Sequence, residues 1–115
     1  MIAQKNRLSK KADFERIFKN GNKDFGQFFI IRFIKNDLNY CRFAIIISNK
    51  FSKKATERNR HRRQIKAVLL KNFSKFRDNF DIIITVLPEI KKFNNKFEEI
   101  SLELEKQFKN NKIIK

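Results

Sequence analysis

The sequence predicts a single α/β domain of the mixed, α+β kind, with a small sheet and helices packed on it in the order α-β-β-α-β-α. Three observations carry this reading. Stretches with apolar residues at helical spacing alternate with short β-branched and aromatic runs. The chain has 115 residues, enough for one domain and too few for two. Hydrophobic residues make up 41%, so a core is available, and 14 Phe with no Trp mean that it is built of Phe, Ile and Leu. Two Gly and one Pro leave no linker-like segment, and there is no internal repeat.

Taken in order, Ser9 is a candidate N-cap, and Phe14, Ile17 and Phe18 follow at helical spacing until Gly21. This predicts a first helix over 10–20. Gln27 to Ile34 reads as a strand, and Asn36-Asp37-Leu38-Asn39 as a turn. Tyr40 to Ser48 reads as a second strand, and Ile45-Ile46-Ile47 suggests burial on both faces. The two strands are expected to form a hairpin. A basic loop precedes a second helix over 56–76, with Thr56 as N-cap. Phe80 to Leu87 reads as a third strand closed by Pro88. Asn94 caps a last helix to about Phe108, with Glu98 and Glu99 in its first turn, where the helix dipole favours them. The ordered core is expected over about 7–108, with the tail 109–115 frayed.

Charge narrows the function. There are 28 Lys and Arg against 12 Asp and Glu, a net charge of +16. That excess repels itself in a compact state and attracts a polyanion. It is densest in Lys53–Lys66, KKATERNRHRRQIK, where seven of fourteen residues are Lys or Arg. This run leads into the apolar pattern Ile65, Val68, Leu69, so the charge is anchored on a folded helix. Asn59, Arg63 and Lys66 share one flank, with Arg60 at its edge; Arg58 and Arg62 form another i, i+4 pair. Like charges at that spacing repel, and a polyanion removes the repulsion. Planar guanidinium groups suit phosphates and base edges. A basic helix fixed to a core reads as a nucleic-acid surface.

Other chemistries find little support. The single Cys41 excludes an internal disulfide and, in an apolar run, reads as a buried thiol. The only His, His61, has no second His for acid–base work and reads as a surface residue beside nucleic acid. The carboxylates are scattered, unlike those of a metal-dependent nuclease. There is no Cys/His cluster for zinc, no apolar run near the ~20 residues of a membrane helix and no apolar signal segment in Met1–Asn6. The expected compartment is the cytoplasm.

Arg58-Asn59-Arg60, followed by His61-Arg62-Arg63, resembles the RNR signature of the bacterial ribonuclease P protein subunit. The approach Ile45-Ile46-Ile47-Ser48-Asn49-Lys50 is similar to the strand that precedes the signature in that family. Arg7 to Gly21, RLSKKADFERIFKNG, resembles its first helix. Three positions depart from the family's usual residues: Ala44 for Gly, Asn49 for Lys and Lys66 for Arg.

The resemblance implies one RNA-binding domain over 1–115. Its fold is that of the second domain of ribosomal protein S5, with a left-handed βαβ crossover. General chain geometry favours the opposite hand, so the hand rests on the resemblance alone. It further implies a protein that binds the catalytic RNA of ribonuclease P and the 5′ leader of precursor tRNA. Mg²⁺ would be used by that RNA, and this chain would supply no catalytic residue and no metal ligand. The implied RNA contacts are Lys50, Lys53, Lys54, Arg58, Asn59, Arg60, Arg62, Arg63 and Lys66. The implied leader cleft, between first helix and sheet, is walled by Phe14, Phe18 and Ile31, although the i, i+4 spacing of the two Phe equally predicts core packing. A ribosomal or other structural RNA-binding protein has similar size and charge and is the alternative.

Overall fold

The computed structural model describes residues 3–47, 54–92 and 97–115. Three α-helices, α1 (Lys11–Asn20), α2 (Ala55–Lys71) and α3 (Phe97–Asn110), pack on four strands, β1 (Asn22–Phe25), β2 (Phe29–Lys35), β3 (Arg42–Ile46) and β4 (Phe80–Val86). The α+β class and the single-domain organisation are as the sequence predicts. The sheet order is β1-β2-β4-β3. β2 runs antiparallel to β1 and β4, and β3 runs parallel to β4.

The hairpin expected between the first two predicted strands, Gln27 to Ile34 and Tyr40 to Ser48, does not form, because β4 lies between β2 and β3. The physical reason is burial. β4, FDIIITV, is covered on both faces, so it belongs at the centre of the sheet. β3 is only half-buried along most of its length and takes an edge. The hairpin partner of β2 is β1, NKDF, a short polar strand without an apolar pattern to announce it. At the β1–β2 turn, a Cβ on Gly26 would come within 2.6 Å of the Gln107 amide, so a larger residue there would displace that side chain. That amide is itself held by Asp24 and the Phe29 carbonyl.

The two faces of the sheet carry separate cores. Phe29, Ile31, Phe33, Ile82, Ile84 and Val86 pack beneath α2 and α3 against Ile65, Leu69, Leu104 and Phe108. On the other face, Ile83 packs with Ile17 of α1 and Leu8, flanked by Phe14, Ile34, Ala44 and Ile46. Strand alternation dictates this sorting.

Helix ends differ modestly from expectation. Lys10 rather than Ser9 precedes α1, and Lys54 rather than Thr56 precedes α2; neither caps through its side chain. α2 stops at Lys71, where the buried Asn72 donates its side-chain amide to the Val68 carbonyl. The Asn94 cap expected for α3 lies outside the described residues. The tail 109–115, expected to fray, is instead packed. Lys112 adopts φ 57°, its N–H donates to the Lys109 carbonyl, and the Ile113 N–H donates to the Phe108 carbonyl. This is a Schellman ending. It turns Ile113 and Ile114 into the core, where both are buried.

Candidate nucleic-acid interface

α2 sorts its residues by face. His61, Ile65, Val68 and Leu69 point to the core and are buried. His61 is 1% exposed, with Nδ1 3.0 Å from Gln64 Oε1. The expectation of a surface histidine is therefore corrected: its position one turn before Ile65 places it on the apolar stripe. Asn59, Arg60 and Arg63 are exposed, and Arg58, Arg62 and Lys66 are half-buried at the flanks. Lys54 is exposed at the helix start. Lys50 and Lys53 lie outside the described residues.

A groove of about 260 Å³ runs along the outer edge of β3. Phe14 of α1 lines one side, Ala44 and Ile46 line the floor, and Arg62 and Lys66 of α2 line the other side, with Arg7 beside them. Among the described residues the Arg62 Nε is buried without a hydrogen-bond partner. The expected aromatic helix and the expected basic helix therefore meet at one groove.

Phe18 is 48% exposed, so it is not a core residue; the buried member of the α1 stripe is Ile17. The Arg32 guanidinium lies 4.8 Å from the Phe18 ring centroid, within cation–π range. Its Nη1 donates to Thr85 Oγ1 at 3.4 Å, and its Nε is buried without a partner among the described residues. Ile31, expected in the same cleft, is fully buried beneath α2 and α3, on the opposite face of the sheet. A shift of one position along a strand changes the face. Arg32 lies on the β2 face that α1 covers, beside the Phe18 ring, and was not among the residues expected there. The signal was available: Arg32 is the one cation between Ile30 and Ile34 on an otherwise apolar alternation.

A buried ion network fixes α1 over this face. Asp81 of β4, with a fully buried side chain, accepts from Arg42 Nε at 2.8 Å, Arg42 Nη2 at 2.6 Å and Asn36 Nδ2 at 2.9 Å. It also accepts from Arg16 of α1. Arg42 Nη1 reaches Asp13 of α1 at 3.1 Å. Burial would raise the Asp81 carboxyl, but the hydrogen bonds from Arg42 and Asn36 and the Arg42 charge outweigh it and hold it below its ordinary value. Burial pushes the Cys41 thiol up, which suits a structural cysteine. Among the described residues, no three of His, Cys, Asp and Glu stand together as metal ligands. No helix among them is long and apolar enough to cross a membrane.

A small α+β domain with a cationic helix beside an aromatic groove defines a nucleic-acid-binding module. Comparison with known proteins narrows this class. The Ribonuclease P family model matches residues 2–112. The ribonuclease P protein component of Fusobacterium nucleatum is 41% identical over 114 residues, covering 95% of this chain and 99% of the relative. That of Thermotoga maritima is 35% identical over 99 residues, covering 86% and 81%. The T. maritima RNase P protein in complex with 1-(4-fluorophenyl)-2-thiourea superposes with a TM-score of 0.83 at 30% identity, covering 95% and 100%. The Staphylococcus aureus RNase P protein gives 0.86 at 27% identity, covering 96% and 98%. The chain belongs to the family of bacterial ribonuclease P protein components.

Proposed function

We propose that this chain, as the protein subunit of a ribonuclease P holoenzyme, binds the catalytic RNA through α2 and the 5′ leader of precursor tRNA across the α1 face. The RNA would carry out the Mg²⁺-dependent hydrolysis that releases the leader and leaves the mature 5′ end of tRNA, in the cytoplasm. The observation that carries the reading is the groove in which Phe14 meets Arg62 and Lys66. Cations there attract phosphates, and aromatic faces accept any base, so a single strand of variable sequence suits the site. Phe18 and Arg32 extend the same surface over β2. The proposed RNA contacts are Arg58, Asn59, Arg60, Arg62, Arg63 and Lys66, together with Lys54 and with Lys50 and Lys53, which fall outside the described residues.

The test is reconstitution with a ribonuclease P RNA across a magnesium titration. The protein alone should leave precursor tRNA intact. With the RNA it should raise cleavage most at low magnesium, where cationic side chains relieve phosphate repulsion that ions otherwise screen. Equal activity with and without protein at every magnesium concentration would reject the reading.

A further inference from the structure

α2 ends far from its arginines, and a second groove opens at that end. Arg62 and Lys71 are separated by about 14 Å along the helix axis. Beyond Lys71 the chain leaves the helix through Phe73–Lys75, and Phe73, Phe76, Tyr40, Arg77 and Asn79 line a pocket of about 480 Å³. None of these residues belongs to the interface already described.

The pocket has the parts that an unpaired nucleotide requires. Phe73 stacks on the buried Phe43, with ring centroids 5.7 Å apart and planes inclined by 21°. Phe76 meets the same ring edge-on at 6.5 Å, and Phe73 keeps 38% of its surface exposed, so part of the ring is open to a further aromatic partner. Arg77 is exposed, and its backbone N–H donates to the Ile113 carbonyl at 2.9 Å, which fixes the position from which the side chain extends. Lys5 Nζ lies 5.2 Å from the ring centroid of Tyr40, a residue of the pocket wall, and the Asp78 carboxylate that also lines the pocket is paired with Lys35 at 3.1 Å. The Asn79 amide supplies a donor and an acceptor at the wall, the pattern used to read the edges of splayed-out bases. A neighbouring groove of about 510 Å³ shares Arg77 and Asp78 and adds Lys35 and Lys112, so cations outnumber carboxylates past the pocket.

We propose that this pocket binds one unpaired RNA nucleotide, its base stacked on Phe73 and its phosphate neutralised by Arg77 and Lys5. The proposal rests on the RNA-binding reading above but not on its site. It makes the protein a clamp with two separated contacts on RNA, so that the second contact forms at high effective concentration once the first is made.

The experiment uses the full chain with Phe73→Leu, Phe73→Tyr and Arg77→Gln, and Arg63→Ala as a control at the face proposed on α2. Affinity is measured for a ribonuclease P RNA and, separately, for precursor tRNA in the holoenzyme, across a salt series. Phe73→Leu should weaken binding roughly 5- to 150-fold, the range of one lost base stack, and Phe73→Tyr should restore it. Arg77→Gln should reduce the slope of log affinity against log salt by about 0.7–0.9. The RNA that responds, ribozyme or substrate, identifies the source of the nucleotide. If Phe73→Leu lowers the melting temperature, the exposed Arg77 carries the test. Normal affinity and slope for Arg77→Gln, with weakened binding for Arg63→Ala, would overturn the pocket and leave the α2 reading standing. Normal binding by all four variants would overturn both.

Discussion

Asp81 shows how one side chain sets the geometry of a surface it never reaches. Its buried carboxylate holds Arg42 and Arg16 together, and Arg16 belongs to α1. Asp81→Asn keeps the shape but removes the buried carboxylate that two guanidinium groups share, leaving Asp13 as the one carboxylate paired with both. Unfolding in urea should show a loss of about 3 kcal/mol, the lower end for a broken buried pair because Arg16 stays one-third exposed. The carboxyl is depressed in the folded state, so its contribution is complete above its ordinary value of 3.8 and fades as pH falls through the folded value. The wild-type protein should therefore lose stability below about pH 4. The variant should show a shallower acid slope, retained in part because Asp78 and Glu105 are also held low. At Phe18 the expectation concerns binding. Phe18→Leu removes a stacking face at a half-exposed site, so affinity for precursor tRNA should fall by about 1–3 kcal/mol. Mature tRNA affinity and melting temperature should hold. Equal loss for both tRNAs would mean that the ring does not meet the leader.

On α2 the sequence places the basic residues and the apolar stripe on one helix, because one helical period separates the two faces, but it runs the helix on to Phe76 instead of Lys71 and puts His61 at the surface. His61, Ile65, Val68 and Leu69 fix its rotation against the sheet, and that rotation leaves Asn59, Arg60 and Arg63 outward. Replacing Arg58, Arg60 and Arg63 together by Ala should weaken binding to the ribonuclease P RNA. Each lost phosphate contact should lower the salt slope by about 0.7–0.9. An unchanged slope would show that these side chains do not touch phosphate. The strands were harder to read. Alternation tells which residues of β2 share a face but not which face α1 covers, so it offers no check on Ile31, which the family resemblance alone puts in the cleft that Arg32 occupies.

At the scale of the whole molecule, a charge of +16 on 115 residues opposes compaction. Raising salt from low to physiological strength should raise the melting temperature of the free protein, because screening relieves that repulsion. A melting temperature that falls over the same range would place the dominant electrostatic term in the attractive Asp81 network instead. The class of fold, the position of the basic helix and the nucleic-acid character were legible from local pattern and composition, since helical period, charge density and the Arg58–Arg63 motif need no partner to be recognised. Strand order was not, because β2, β3 and β4 are each apolar enough to pair with one another while β1 is polar and carries no pattern, and only the competition for the doubly buried centre places β4 between β2 and β3. The tail was not legible either: Ile113 and Ile114 follow a polar run, and their burial depends on a left-handed turn at Lys112 that has no signal in the residue type. The meeting of Phe14 with Arg62 and Lys66 is likewise a product of packing, since α1 and α2 touch the same edge strand from distant parts of the chain. Sequence by itself determined what each element can do, through period and charge; tertiary structure decided which elements do it together, because burial is shared among segments that local pattern cannot relate.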